Sequence, residues 1–399
     1  MIQKAESAFL ALDLILSACF VLFVAGRIAR GRRPAAPVGR LRRWSVFALV
    51  NLGAACVLVD LAAVVAALAA PPRNPFTTTA EFRSGDYLFV ADSELGVVHR
   101  PNFSTTLRLA ATTVVHHDSI GARVDEADDE TPSRVDLVTV GCSQAWGQGV
   151  LGRETFTSTI GRMRNWKVAN LAISSHGGVG SLLQLHRHLD LIPEVVCYAF
   201  WQDHYERNLN RYAATGAPVG LEMPVVRQGG DGQPMLRLPG PYYERNLELT
   251  RRYFAETAQG EAVGQGFRTD LEWTVRKNEW RILTALIAVR SSPWLTTTEA
   301  KETAAAYVLR RMQEECESIG ARLVVLYIPR YFDCPVPDAP DSLHWTCEEL
   351  GIHLVDLGRR FRAMRCAGIA VELLGDRHMS AAAHQAAAEE LSAALGSTD

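Results

Sequence analysis

The sequence predicts an α/β body built on a parallel sheet with helices on both faces, preceded by two membrane-spanning helices. Three observations carry this. From residue 135 onward, short apolar runs alternate with segments of helical period, the pattern of a parallel sheet covered on both sides. The first 72 residues hold two long apolar stretches around a loop of arginines. The 399-residue chain is 48% hydrophobic and 21% charged, which excludes a disordered or fibrous protein.

The membrane end comes first. Ala8–Gly26 and Ser45–Ala70 carry one charge each, Asp13 and Asp60. At about 1.5 Å of rise per residue, both are long enough to cross a hydrocarbon core of about 30 Å. The loop Arg27–Arg43 contains seven arginines and no acid, so it stays cytoplasmic. The chain beyond Pro71 and Pro72 is then expected outside the cytoplasmic membrane. A cleaved signal peptide carries its positive charge before the apolar run, whereas here the charge follows it. Leu16-Ser17-Ala18-Cys19 resembles a lipoprotein processing site, but membrane-like residues continue past it. Asp13 and Asp60 mark a functional site or a partner contact, or else face each other or interfacial water. Of 41 basic and 44 acidic residues, residues 1–72 hold eight and three, so the body is mildly acidic and gives no reason to expect nucleic acid.

Residues 73–134 form a lead-in with short strand-like pieces, among them Tyr87–Val90 and Thr106–Val115. The body, residues 135–399, then reads strand, helix, strand, helix, strand: Val135–Val140, Thr155–Arg164, Trp166–Ala172, Gly180–Leu189 and Glu194–Phe200. An insertion over 204–297 follows, polar at first and then rich in aromatics (Tyr242, Tyr243, Tyr253, Phe254, Trp273, Trp280). Because it leaves and re-enters beside the third strand's carboxyl end, part of it is expected to wall a pocket. Its aromatics alternatively pack a small core of their own. Thr298–Ile319 is an amphipathic helix, Arg322–Ile328 and Ile352–Leu357 are the fourth and fifth strands, and the helix Ala381–Leu395 closes the chain. Eight cysteines show no CxxC pair and no ligand spacing with histidine, so neither a zinc site nor another metal or cofactor is expected. Cys142, Cys197 and Cys366 belong in or beside core elements; Cys334 and Cys347 flank a Pro/Asp-rich loop that a disulfide would close.

Ligands bind open parallel sheets at the carboxyl ends of the strands. The residues standing there are Gly141-Cys142-Ser143-Gln144, Asn170 through Ser175-His176-Gly177, and Trp201-Gln202-Asp203-His204. Asp376-Arg377-His378 precedes the last helix. A serine hydroxyl needs a base to become a nucleophile, and a histidine oriented by a carboxylate supplies one. Ser143, His378 and Asp376 fill these roles. The backbone N–H groups of Ser143, Ser175 and Gly177 and the Gln202 amide are candidate donors to an oxyanion. Cys142, Trp146, His176, Trp201, Asp203 and His204 are candidates to line the pocket. Singly, each is more often a turn, cap or core residue; their order along one sheet edge is what gives them weight.

With these residues in view, the chain resembles the SGNH/GDSL hydrolase superfamily, and within it the membrane-anchored bacterial type. Gly141-Cys142-Ser143 followed by Gly147-Gln148-Gly149-Val150 is similar to the family's Gly-Asp-Ser block. Asn170-Leu-Ala-Ile-Ser-Ser175-His-Gly177 resembles its Asn-Leu-Gly turn, Gln202-Asp203 stands where Asn-Asp is usual, and Asp376-Arg-His378 with Ser380 and His384 resembles its last block. Glu94-Leu-Gly96, Pro101-Asn102 and Ser119-Ile-Gly121-Ala-Arg123 match the lead-in of anchored members. The resemblance implies a three-layer, flavodoxin-like sheet and acyl transfer through an acyl-serine. It also implies an acylated envelope polysaccharide, or a related small ester, as substrate. Water as acceptor makes an esterase and a sugar hydroxyl an O-acyltransferase; the latter needs a multispanning membrane partner to supply acyl groups. Three positions depart: Cys142 for aspartate, Ser175 for an oxyanion glycine, and Gln202 for asparagine. They keep open a second reading, a catalytically degenerate binding or scaffold protein of a polysaccharide assembly.

The arginine loop yields a direct prediction. Alkaline phosphatase fused after Asp399 is expected to be active, and a cytoplasmic reporter fused at the same place silent. The reverse pattern overturns the topology.

Overall fold

A computed structural model of the chain describes residues 88–108, 112–209, 223–239, 297–333, 335–373 and 377–396, all within one compact unit. The two apolar stretches with Asp13 and Asp60, the insertion aromatics, Cys334 and Asp376 lie outside the described residues. Among the described residues, no helix is long and apolar enough to cross a membrane.

The chain begins with the hairpin β1 (Phe89–Asp92) and β2 (Gly96–His99), then β3 (Phe103–Arg108), β4 (Thr112–His117) and β5 (Arg123–Val124). The body follows: β6 (Leu137–Val140), α1 (Ser143–Trp146), α2 (Phe156–Arg164), β7 (Val168–Asn170), α3 (Gly178–Arg187), β8 (Val195–Trp201) and α4 (His204–Arg207). A hairpin of β9 (Val225–Gln228) and β10 (Pro234–Arg237) precedes α5 (Thr298–Ser318), β11 (Arg322–Ile328), α6 (Asp341–Glu349), β12 (His353–Asp356), α7 (Gly358–Cys366) and α8 (Ala381–Ala394).

The main sheet runs β12-β11-β8-β6-β7-β5-β4-β3. Its five body strands are parallel, and β5, β4 and β3 extend it antiparallel beyond β7. Counting only the parallel strands, the order is second, first, third, fourth, fifth. The connections therefore diverge between β6 and β8, which opens a crevice at the carboxyl ends of those two strands. All seven residues of β8 are buried. Val195, Cys197, Ala199 and Trp201 enter one core with α2, α7 and α8; Val196, Tyr198 and Phe200 enter the other with α3, α5 and α6. This is what a central parallel strand requires, and it explains the continuous apolar run in place of alternation.

Three readings of the sequence need correcting. Thr106–Val115, taken as one strand-like piece, belongs to two strands that turn back on each other and pair Arg108 with Thr112. Cys366 is exposed rather than in or beside the core, and Cys347, whose pairing the sequence left open, is a buried free thiol. Helices α6 and α7 were not anticipated. Only Leu343 and Cys347 are buried in α6, and α7 carries four arginines in nine residues, so their apolar signal is too sparse to announce a helix. Of the insertion, α4 and the β9–β10 hairpin are described. Leu209, Val226 and Leu236 pack into the α3/α5 core.

The last helix is docked by polar contacts as well as by alanines. Ser380 caps it by accepting from the Ala383 N–H at 3.2 Å. His384 Nδ1 accepts from the Phe156 N–H at 3.2 Å, and Arg164 donates to the Ser392 hydroxyl and carbonyl. Burial lowers the pKa of His384 to about 3, and likewise brings His117 to about 3 and His176 to about 4. An unfolded imidazole titrates near about 6.5. As pH falls below that value the unfolded chain binds protons that these folded rings refuse, so stability is full above about pH 6.5 and declines toward about pH 3. His384→Asn keeps an acceptor for the Phe156 N–H without a titrating ring. The expected outcome is a shallower fall in unfolding free energy between about pH 7.5 and about pH 5 than in wild type, measured by denaturant titration. An identical slope contradicts it.

Candidate active site

The site begins where β6 ends. At Gly141 a Cβ would lie 3.0 Å from the Ala145 Cβ and 3.1 Å from Ala199, so a side chain would push the turn off the neighbouring strand. Cys142 is extended (φ −109°, ψ −161°), and α1 starts at Ser143. The Ala145 and Trp146 N–H groups close back on the Cys142 carbonyl, and Gly147, at φ 86°, stops the helix after one turn. Asn170, at the end of β7, donates from Nδ2 to the Ala145 carbonyl at 3.0 Å and accepts from the Ala172 N–H at 3.3 Å. The second strand thereby holds the Ser143 turn in place. From the other side, Arg123 donates to the Val150 carbonyl at 2.9 Å and lies 4.6 Å over the Trp146 ring. Trp146 Nε1 donates to His117 Nε2 at 3.1 Å. The lead-in strands thus brace α1 from beneath.

His378 arrives from the far end of the chain. Its Nε2 lies 2.8 Å from the Ser143 Oγ, across 235 residues of sequence. The backbone around it is fixed: Glu372 and Met379 form a β-bridge, the Leu373 N–H donates to the His378 carbonyl at 2.9 Å, and the Ser380 N–H donates to the Val371 carbonyl at 2.8 Å. Ser143 is buried and His378 half-buried. For the hydroxyl to give up its proton here, the Nε2 lone pair must face Oγ, with the ring proton on Nδ1. Asp376, the expected orienting carboxylate, lies outside the described residues.

The candidate oxyanion donors sit on the adjoining turns. Ser175 has φ +70°, a left-handed conformation natural to glycine and costly for serine. The Ile173 N–H donates to the Gly141 carbonyl at 3.0 Å, tying this turn to the nucleophile turn. Gly177 caps α3, and a Cβ there would approach the Arg207 Cβ to 2.7 Å. The Gln202 Oε1 accepts from the Arg330 N–H at 3.1 Å. A backbone N–H can only donate, so this contact fixes the amide's orientation and leaves its NH₂ end as the donor.

Several residues expected around the pocket serve the interior instead. Cys142 is fully buried, and burial raises its thiol pKa. Trp146 is fully buried against His117 and His99. His176 donates from Nε2 to the Val97 carbonyl at 2.9 Å. His204 pairs with the Tyr198 hydroxyl at 2.8 Å and stacks on its ring, and burial holds it neutral. Trp201 is buried between Tyr331 and Phe332. Asp203 is half-buried and accepts from Arg330 Nε at 2.8 Å. The interior captures these rings because their apolar bodies fill core space while a nitrogen, hydroxyl or carbonyl partner satisfies one polar atom of each. Two residues at the site were missed. Gln144 follows the nucleophile and contacts the peptide groups on both sides of His378; Tyr331 stands three residues past the carboxyl end of β11 and reaches the same place. The strand-end rule that picked out the first three strands, applied to the fourth, points to Tyr331.

No family model matches the sequence, and no curated protein matches it. Several solved structures are similar. TesA is 12% identical, with 65% of this chain and 97% of that chain covered, at a TM-score of 0.33. A lipolytic protein of the G-D-S-L family from Desulfitobacterium hafniense is 10% identical, with 65% and 98% covered, at 0.32. A mutant of Axe2, an acetyl-xylooligosaccharide esterase from Geobacillus, is 11% identical, with 67% and 97% covered, at 0.32. Likenesses of this strength assign neither a family nor a chemistry, which rest on the chain's own residues.

The left-handed Ser175 gives a stability prediction. Ser175→Val, branched at Cβ, is expected to lose about 1–2 kcal/mol more than Ser175→Gly, which keeps the left-handed backbone without strain. Denaturant midpoints of the two variants check this; equal losses contradict it.

Proposed function

We propose that the chain is a serine-dependent ester hydrolase or O-acyltransferase of the SGNH/GDSL type. The observation that carries this reading is the 2.8 Å approach of Ser143 Oγ to His378 Nε2 in the crevice where the strand order diverges. His378 takes the hydroxyl proton as Oγ attacks the acyl carbonyl. The Ser143, Ser175 and Gly177 N–H groups and the Gln202 NH₂ end are the donors for the resulting oxyanion. On collapse, the ester C–O bond breaks and His378 returns the proton to the departing alcohol oxygen, leaving an acyl-serine. Water or a sugar hydroxyl then gives its proton to His378 and attacks the acyl carbon. The Ser143 oxygen leaves with that proton, and the product is a free acid or a new ester. Asp376 has the role of holding the Nδ1–H tautomer and stabilising the imidazolium. None of these steps needs a metal or cofactor.

The finer reading concerns place and substrate. The arginine loop and the two apolar stretches support a two-pass anchor in the cytoplasmic membrane with the catalytic body outside it. An acylated envelope polysaccharide suits that position, and a transferase there draws acyl groups from a multispanning partner. The departures at Cys142 and Gln202 favour a second reading, a binding or scaffold protein that keeps the fold without the chemistry.

Labelling of the purified full-length chain with a serine-directed fluorophosphonate separates the two. Wild type is expected to label and Ser143→Ala to remain unlabelled. On any ester that is cleaved, Gln202→Ala is expected to lower turnover by about 10²-fold, the scale for loss of one oxyanion donor. A wild-type chain that never labels leaves the binding reading standing; unchanged turnover in Gln202→Ala removes that residue from the mechanism.

A further inference from the structure

Gln144 is nearly fully buried one residue after the proposed nucleophile, and its amide is used at both ends. Nε2 donates to the Arg377 carbonyl at 2.9 Å, and Oε1 accepts from the Met379 N–H at 3.2 Å. These are the peptide groups immediately before and after His378. A carbonyl can only accept and a backbone N–H can only donate, so the two contacts fix the amide's orientation between them. Tyr331 adds a third group: its hydroxyl lies 2.9 Å from Gln144 Oε1 and 2.8 Å from the Arg377 carbonyl. Tyr331 is itself held, with its ring 5.6 Å from Trp201 and 5.7 Å from Phe361 and with Arg365 donating to its carbonyl.

We propose that Gln144 is a positioning residue that sets the distance between nucleophile and base by clamping the backbone on both sides of His378, with Tyr331 holding the clamp. The inference rests on the serine–histidine reading above and adds to it a means of registration. Ser143 and Gln144 are consecutive in one rigid helical turn, so fixing the Gln144 amide on residues 377 and 379 fixes residue 378 relative to the Ser143 Oγ. Only a primary amide does this at such a position. Glutamate lacks the donor for Arg377, and methionine fills similar volume with neither donor nor acceptor. Packing alone does not call for glutamine here, since a buried amide is tolerated only when its hydrogen bonds are made. Registration matters to rate because a base displaced by about 1 Å can cost about 10²-fold.

The test is a double-mutant cycle on the full-length chain, read as the second-order rate of fluorophosphonate labelling at Ser143. His378→Ala is expected to slow labelling by about 10²-fold or more, as loss of a general base does. Gln144→Met is expected to slow it by about tenfold or more, with the thermal midpoint showing a folded protein. In the His378→Ala background, Gln144→Met is expected to slow it no further, because a residue that acts through His378 has nothing left to position. Tyr331→Phe removes one hydroxyl, is expected to slow labelling about threefold to tenfold by the same route, and carries the cycle if Gln144→Met does not fold. A Gln144→Met chain that labels as fast as wild type overturns the proposal. So does an equal slowing with and without His378, which marks a merely structural residue. Wild type that does not label, or His378→Ala that labels like wild type, overturns instead the serine–histidine reading on which the clamp depends.

Discussion

Strand β8 is buried on both faces along its whole length, and most of the architecture follows from that. Its side chains feed two separate cores, so helices must cover both sides of the sheet. With right-handed crossovers, covering both sides requires the chain to wind one way from β6 to β7 and the other way from β8 onward. The crevice between β6 and β8 is the geometric residue of that reversal. The turn carrying Ser143 and the turn carrying Gln202 leave the sheet on either side of it.

Around this crevice the protein spends its polar groups on geometry rather than on charge. Asn170 holds α1, Gln202 is oriented by a backbone N–H, and Gln144 spans the peptide groups flanking His378. All three are neutral amides, which supply a donor and an acceptor in one plane without the desolvation cost of a buried ion. The histidines that fold inward follow the same economy. His176 and His204 are kept neutral by burial and pair with a carbonyl or a hydroxyl, not with an acid. The ion pair of Asp203 with Arg330 remains partly exposed.

The parallel strands were legible because each is a short run of apolar residues that must be buried on two faces, and the long helices because their apolar period persists for several turns. The encounter of Ser143 with His378 was legible from a different rule, that strand ends on one edge meet. What escaped has physical reasons. Helix α7 carries four arginines in nine residues and buries only Phe361 and Met364 as large apolar side chains, and α6 buries two side chains. The inward turn of Trp146, His176 and His204 was hidden because an aromatic ring with one or two polar nitrogens suits a pocket wall and a core equally, and only tertiary partners choose between them. The clamp by Gln144 was hidden for a related reason: a glutamine beside a nucleophile carries no signal until the loop it holds is known. Ser175 was legible as a turn residue, but its left-handed backbone shows that the turn keeps the geometry of a glycine without having one.

The dependence of the site on the last helix has a bearing on how the protein is made. His378 precedes α8, and α8 is seated on α2 by His384 against Phe156 and by Arg164 against Ser392. Synthesis proceeds from the other end, so the sheet strands and the serine turn emerge while the segment bearing the base is still being polymerised or is inside the ribosomal tunnel. A nascent chain therefore carries the Ser143 turn before His378 is present, and the pair forms only once α8 has emerged and docked. Docking of α8 is in this sense the step that brings Ser143 and His378 together, and a chain cut before residue 378 keeps the serine turn without its histidine.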